Sequence, residues 1–101
     1  MPTRSLALLV IACAAGTAHA QPADANAARG VAANCSNCHG TNGVSQGGVP
    51  SLAGQSKADL VRKMQDFKAG RTAGTIMPQL AKGYSDQEID AMAGWFSVQK
   101  P

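Results

Sequence analysis

Aromatic side chains are scarce in this sequence of 101 residues, where phenylalanine, tyrosine and tryptophan together make up 4%. Hydrophobic residues reach 45% and charged residues only 15%, which excludes a disordered polar chain. A chain of this length forms one small domain, and with so few aromatic rings it has little with which to fill its own core. We therefore expect a single domain whose interior contains something besides protein side chains.

The sequence also lacks a basic segment. Its formal net charge is +3, yet the longest run of cationic residues is the pair Arg62-Lys63, and no aromatic residues are interleaved with a basic stripe. Nucleic-acid binding is therefore excluded as an interpretation. Without residues 1–20, which contain one charged residue, Arg4, the net charge falls to +2.

Residues 1–20 predict a secretory signal peptide. A positive start ending at Arg4 precedes an apolar stretch from Leu6 to Ala15, and Ala18-His19-Ala20 forms a small-x-small cleavage site. An apolar stretch of about ten residues is too short to cross a membrane. The sequence thus predicts a signal peptide over 1–20 and one domain over 21–101, exported to the periplasm and without a transmembrane segment.

A second processing pattern overlaps the first. Val10-Ile11-Ala12-Cys13 resembles a lipobox, which would place a lipid on Cys13. The alternative is a cysteine in a discarded signal, and the conventional cleavage site that follows favours it. Both alternatives predict export.

Two cysteines remain beyond the signal, Cys35 and Cys38, and His39 follows them directly. A disulfide between them would close almost no loop and would stabilise the fold little. The pattern C-x-x-C-H is the attachment signature of c-type haem. Residues three apart lie on one side of a helix, so both sulfurs can reach one porphyrin edge while the histidine binds the iron. The sequence therefore predicts one covalently bound haem c.

Other chemistries fit this motif less well. A structural zinc site needs four cysteine or histidine ligands, and beyond the signal the chain has only Cys35, Cys38 and His39. A thioredoxin-like pair requires a βαβ context, and no run of strand-forming residues is present. A cysteine–histidine nucleophile pair is disfavoured because adjacent helical residues do not face each other.

No stretch alternates with a period of two, so the fold class is all-α. The first helix is predicted to begin at the cap Asp24 and to run into the cysteine turn. The second begins with the S-x-x-D pattern of Ser56 and ends at Gly70, and the last begins with a capping box at Ser85. Residues 40–54 and 71–84 are predicted to be loops.

A haem iron bound by His39 has a second axial position, for which the candidates are methionine, lysine, water or nothing. Met64 and Met92 lie on apolar helix faces, as core residues do. Met77 lies in a predicted loop, where Pro78 favours an extended backbone, and it follows the histidine by 38 residues. Met77 is the preferred ligand; the alternative is a loop methionine packed on the haem edge beside an open iron. Histidine–methionine ligation favours electron transfer over catalysis, because no iron site is left for substrate.

The chain resembles the class I c-type cytochromes over the whole of residues 21–101, in particular the cytochrome c4 and c553 group. The segment 75–85 is most similar to the haem subunit of flavocytochrome c sulfide dehydrogenase. Six blocks carry the resemblance: Cys35–Gly40, Pro50–Gln55, Asp66–Gly70, Ile76–Pro78, Leu80–Ser85 and Ala93–Phe96.

The resemblance implies a class I cytochrome c fold, with a few helices and loops around one haem. It implies thioether bonds at Cys35 and Cys38, iron ligands at His39 and Met77, and a backbone carbonyl at Pro50 that accepts the imidazole proton. The chain departs from cytochrome c4 and from several flavocytochrome haem subunits in having one C-x-x-C-H motif instead of two.

The resemblance also implies that the first and last helices cross near Gly30 and Gly94, with Trp95 or Phe96 filling the junction. The residues alone suggest part of this, since a glycine inside a helix costs about 1 kcal/mol against alanine and indicates close approach of another helix.

By this resemblance the protein is expected to be a periplasmic electron carrier and not an enzyme. It would accept electrons from a flavoprotein that oxidises sulfide and pass them to a downstream cytochrome or oxidase. The alternative is a freely diffusing shuttle between respiratory complexes. A haem enzyme or gas binder with an open iron is the third interpretation.

Overall fold

The computed structural model describes residues 25–101, which contain no β-strand, so the predicted all-α class is confirmed. The predicted signal peptide, Cys13 and the cap Asp24 lie outside the described residues. A short 3-10 turn follows the first of four helices in this part of the chain: α1 (Ala25–His39), the 3-10 turn (Thr41–Gly43), α2 (Lys57–Lys68), α3 (Met77–Ala81) and α4 (Asp86–Ser97).

The starts of α2 and α4 are capped as the sequence predicts. Ser56 Oγ accepts a hydrogen bond of 3.1 Å from the Asp59 N–H. At α4, Ser85 Oγ accepts from the Glu88 N–H at 3.1 Å, and the Glu88 carboxylate accepts from the Ser85 N–H at 2.8 Å. These bonds satisfy donors that a helix start would otherwise leave unpaired, which fixes where each helix begins.

The prediction that residues 71–84 form a loop is wrong, because this segment contains α3. Met77 is the first residue of that helix, so the extended backbone predicted for it is also wrong. Pro78 occupies the first turn, where its missing N–H would have had no helical partner and its fixed φ angle suits the helix. Ala81, the last residue of α3, is fully buried and anchors the helix.

The core lies between α1, α2 and α4. Its buried residues are Ala32, Leu60, Met92, Ala93 and Phe96. Phe96 has the largest buried side chain of this cluster, at 2% exposure, whereas Trp95 is half-buried at its edge. Met92 belongs to the cluster and Met64 packs against it, as expected of plain core residues.

The predicted helix crossing at two glycines is wrong in its details. α1 and α4 do pack together, but a Cβ built on Gly30 meets no atom of residues 25–101 within 4 Å. A Cβ on Gly94 would lie 3.8 Å from the side chain of Lys57, on α2. The small residues buried in the cluster shared by the two helices are Ala32 and Ala93, each 1% exposed.

Gly30→Ala is therefore expected to stabilise the haem-loaded protein by about 0.5–1 kcal/mol, since alanine restricts the unfolded chain and favours the helix. Denaturant unfolding monitored by circular dichroism measures this change. Gly43→Ala is the matched control and is expected to destabilise, because its Cβ would lie 2.7 Å from the Phe96 ring and its φ is +79°. Destabilisation by Gly30→Ala would show that another segment packs tightly on this residue.

Within residues 25–101, no helix combines the length and apolar character needed to cross a membrane.

Candidate functional site

The two cysteines lie in the last part of α1, three residues apart and hence on one side of the helix. Neither forms a disulfide; Cys35 is half-buried and Cys38 is exposed. Burial raises the pKa of the Cys35 thiol, and a backbone hydrogen bond opposes that change in part. A raised pKa keeps this thiol neutral near pH 7, unlike the activated thiolate of a nucleophilic cysteine.

His39 ends α1, and its ring is oriented by a backbone carbonyl. Nδ1 of His39 lies 2.6 Å from the carbonyl oxygen of Pro50, the partner that the resemblance implies. A carbonyl oxygen only accepts, so Nδ1 carries the proton and donates it. Nε2 is thereby left with a free lone pair, the form in which imidazole binds a metal.

The segment that carries Pro50 is hydrogen-bonded to two other elements of the fold, the 3-10 turn and α4. The carbonyl of Gly43 accepts from the N–H groups of Leu52 and Ala53 at 2.8 and 3.1 Å. The N–H of Gly54 donates to the carbonyl of Phe96 at 3.0 Å, which joins the segment to α4. The Pro50 carbonyl is therefore positioned by a hydrogen-bonded loop.

Two glycines, Gly40 and Gly43, shape this site through close contacts of their backbone. A Cβ on Gly40 would lie 1.9 Å from the carbonyl oxygen of Val44, and its φ of +87° belongs to the left-handed region. Gly43, at φ +79°, lies directly against the Phe96 ring. Gly40 could have been identified from the sequence, because it follows the C-x-x-C-H motif directly. The role of Gly43 could not, because it depends on a contact with Phe96, which lies far along the chain.

Met77 lies on a different element from the cysteines and the histidine. It is half-buried at the start of α3, a helix that packs against α2. A Cβ on Gly74 would approach Phe67 at 3.1 Å and Pro78 at 3.2 Å, which shows how closely this segment packs. Ile76 and Leu80, four residues apart on either side of Met77, are 56% and 44% exposed. Ligation of iron by Met77 stays a prediction.

The donor set fits covalent haem and not a bare metal ion. In the part of the chain that the structure describes, no group of three or more histidine, cysteine, aspartate or glutamate residues could hold a metal. Two cysteines on one helix side and one imidazole with a free Nε2 are the groups that c-type haem attachment requires.

Most cations on and beside α2 are held in ion pairs; Lys63 instead donates a hydrogen bond of 2.6 Å to the side-chain oxygen of Gln55. Lys57 Nζ lies 2.8 Å from a carboxylate oxygen of Asp90, and Lys68 Nζ lies 3.1 Å from one of Asp86. Hydrogen bonds from Gln65 and Lys68 lower the pKa of Asp86. The remaining pairs of this group are Arg62–Asp59, Arg62–Asp66 and Arg71–Asp66.

Comparisons with known proteins agree with this reading. Residues 22–96 match the family model described as cytochrome c oxidase, cbb3-type, subunit III. Cytochrome c4 of Azotobacter vinelandii is 40% identical over 96 residues, which cover 85% of this chain and 45% of that protein. The cytochrome subunit of sulfide dehydrogenase of Chlorobaculum tepidum is 40% identical over 63 residues, covering 62% of this chain and 57% of that protein.

A solved structure gives the same result for the fold. The structure of cytochrome c4 from Acidithiobacillus ferrooxidans superposes with a TM-score of 0.60 and 32% identity, covering 62% of this chain and 37% of that one. The chain spans about half the length of the curated relatives it matches.

Proposed function

Because the chain belongs to this family of c-type cytochromes, and is thus an electron-transfer protein with covalently bound haem c, we propose that it carries single electrons in the periplasm through one haem. We propose further that it is the haem subunit that accepts electrons from a flavoprotein sulfide dehydrogenase. The observation that carries the haem-carrier role is the hydrogen bond from His39 to Pro50 at the end of the helix that presents both cysteines.

In this proposal Cys35 and Cys38 hold the haem through thioether bonds, and Nε2 of His39 binds its iron. The Pro50 carbonyl keeps the proton on Nδ1, which fixes the ring orientation and raises the basicity of the ligating nitrogen. The haem supplies a one-electron change at iron, and its environment sets the potential at which that change occurs.

Met77 is proposed as the second axial ligand. A thioether ligand favours the reduced iron and raises the potential, which suits a carrier and leaves no coordination position for substrate. The position of Met77 supports this proposal, because Met77 begins the short helix α3. The last residue of that helix, Ala81, is fully buried and anchors it.

Two observations support the subunit role. The Chlorobaculum tepidum relative is a cytochrome subunit of sulfide dehydrogenase. In the sequence, segment 75–85 resembles the haem subunit of flavocytochrome c sulfide dehydrogenase. A freely diffusing shuttle is the second candidate, because the similarity to cytochrome c4 extends over more of the chain and that relative's name includes no enzyme partner.

The test is an optical spectrum of the tagged protein purified gently from its own host, recorded before and after sulfide is added. Flavin absorption beside the haem bands, with reduction of the haem by sulfide, is the expected result. A control portion treated with dithionite shows that the haem can be reduced at all. Low-spin haem without flavin, reduced by dithionite but not by sulfide, would support the shuttle instead.

The localisation is tested separately. We expect the haem-bearing protein in the periplasmic fraction, with Gln21 as its first residue by mass spectrometry, since the sequence predicts cleavage after Ala20. A lipid on Cys13 would appear as a larger mass and as recovery with the membranes.

A further inference from the structure

A polar cleft lies on the side of α1 that faces away from Cys38. Its volume is about 190 Å³, and the described residues that line it are Arg29, Ala33, Ser36, Thr41, Asn42 and Trp95. Arg29, Ala33 and Ser36 follow one another at helical spacing, and the helix turns by about 100° per residue. Cys38 therefore lies on roughly the opposite side of the helix, so a ligand in the cleft would not compete with the attached group.

The cleft brings together hydrogen-bond donors from three elements. α1 contributes Arg29 and Ser36, the 3-10 turn contributes Thr41 and Asn42, and α4 contributes Trp95, and each of these side chains carries a hydrogen-bond donor. Among residues 25–101, none of these five side chains has a hydrogen bond or an ion pair with another protein group. Their donors are therefore available to a ligand in the cleft.

The described residues that line the cleft include a positive charge and no negative one. Arg29 is its charged residue, and no aspartate or glutamate is among the described residues that line it. The arginines near α2 differ, since Arg62 and Arg71 both contact Asp66. A guanidinium without a carboxylate partner, in a concave site with neutral donors, favours an anion with several acceptor oxygens.

We propose that this cleft binds a small tetrahedral oxyanion, with sulfate and phosphate as its representatives. Arg29 provides the charge and a planar pair of N–H donors, and the hydroxyl, amide and indole groups hydrogen-bond the remaining oxygens. One exposed cation gives modest affinity, with a Kd on the order of 1 mM. The proposal does not depend on the identity of the redox partner.

The test uses the haem-loaded protein in its reduced form. Sodium sulfate and sodium phosphate are titrated in while sodium chloride keeps the ionic strength constant, and the NMR signals of the Trp95 indole N–H and the Asn42 side-chain amide are followed. We expect both signals to shift and to saturate with one common Kd. Arg29→Gln, an exposed helix position with a good helix-forming replacement, is expected to weaken binding about tenfold or more.

Lys82→Gln is the matched control, because it removes the same charge from an exposed residue that does not line the cleft. It is expected to leave the Kd unchanged. NMR shifts that grow linearly without saturation would overturn the proposal. An equal loss of anion affinity in Arg29→Gln and Lys82→Gln would also overturn it, because it would indicate attraction to the net charge alone.

Discussion

Expressed in the cytoplasm without haem attachment, the chain from Gln21 to Pro101 is expected to show no cooperative unfolding transition. The reason is the small amount of apolar surface that the protein buries by itself. Among residues 25–101 the buried hydrophobic residues are eight, and half of them are alanine: Ala32, Ala53, Leu60, Ala81, Ile89, Met92, Ala93 and Phe96.

This core is too small to offset the conformational entropy of the chain. Ordering the backbone costs roughly 1–2 kcal/mol per residue, while burial returns about 25 cal/mol per Å² of apolar surface, and an alanine offers little of it. Larger apolar side chains remain exposed in the described fold: Val49 and Ile76, which precede Pro50 and Met77 in the sequence, and Leu80. Their burial against the haem would add the missing stabilisation.

Circular dichroism against temperature and against guanidinium measures the effect, with the exported, haem-loaded chain as the control. The control is expected to unfold in one sigmoidal transition, and the haem-free chain in a gradual one with weak near-ultraviolet signal. A sigmoidal transition in the haem-free chain would show that the protein core suffices for folding.

Met77→Leu is expected to have the largest effect on redox behaviour. Leucine keeps the apolar volume but has no sulfur, so the proposed axial bond cannot form. The ferric protein should change to a high-spin spectrum, and the midpoint potential should fall by on the order of 0.1 V or more. Optical spectroscopy and a potentiometric titration measure the two changes.

Met64→Leu is the matched control, because Met64 packs half-buried against the core cluster. This variant is expected to keep both the low-spin spectrum and the potential. An unchanged spectrum in Met77→Leu would refute ligation by Met77 and return the open-iron enzyme or gas binder to consideration.

The parts of the fold that depend on residues close together in the sequence could be predicted from it. The caps at Ser56 and Ser85 are local patterns, and the structure has both hydrogen-bonded as predicted. The sequence does not indicate α3, because Pro78 disfavours a helical backbone at the residue before it, Met77. The competing rule, that proline fits the first turn of a helix, decides this segment.

The candidate site divides in the same way. The cysteines and His39 form one local motif, so their spacing alone predicts the cofactor. Pro50 contributes only its backbone carbonyl from a position 11 residues away, and no side-chain pattern marks such a contact; the family resemblance was needed to name it. The close approach of Gly43 to Phe96 joins distant parts of the chain, and spacing does not reveal it.

The ion pairs around α2 affect how this protein meets another. Each pair presents a short-range dipole instead of a free positive charge, and the field of a dipole falls off faster with distance than that of a single charge. At physiological ionic strength the Debye length is about 8 Å, so little attraction from this surface extends far into solution. Lys63, whose partner is the neutral Gln55, adds one unpaired charge to this face. Electrostatic steering across it is therefore weak, and encounters depend mainly on diffusion and on the match of the two surfaces at contact.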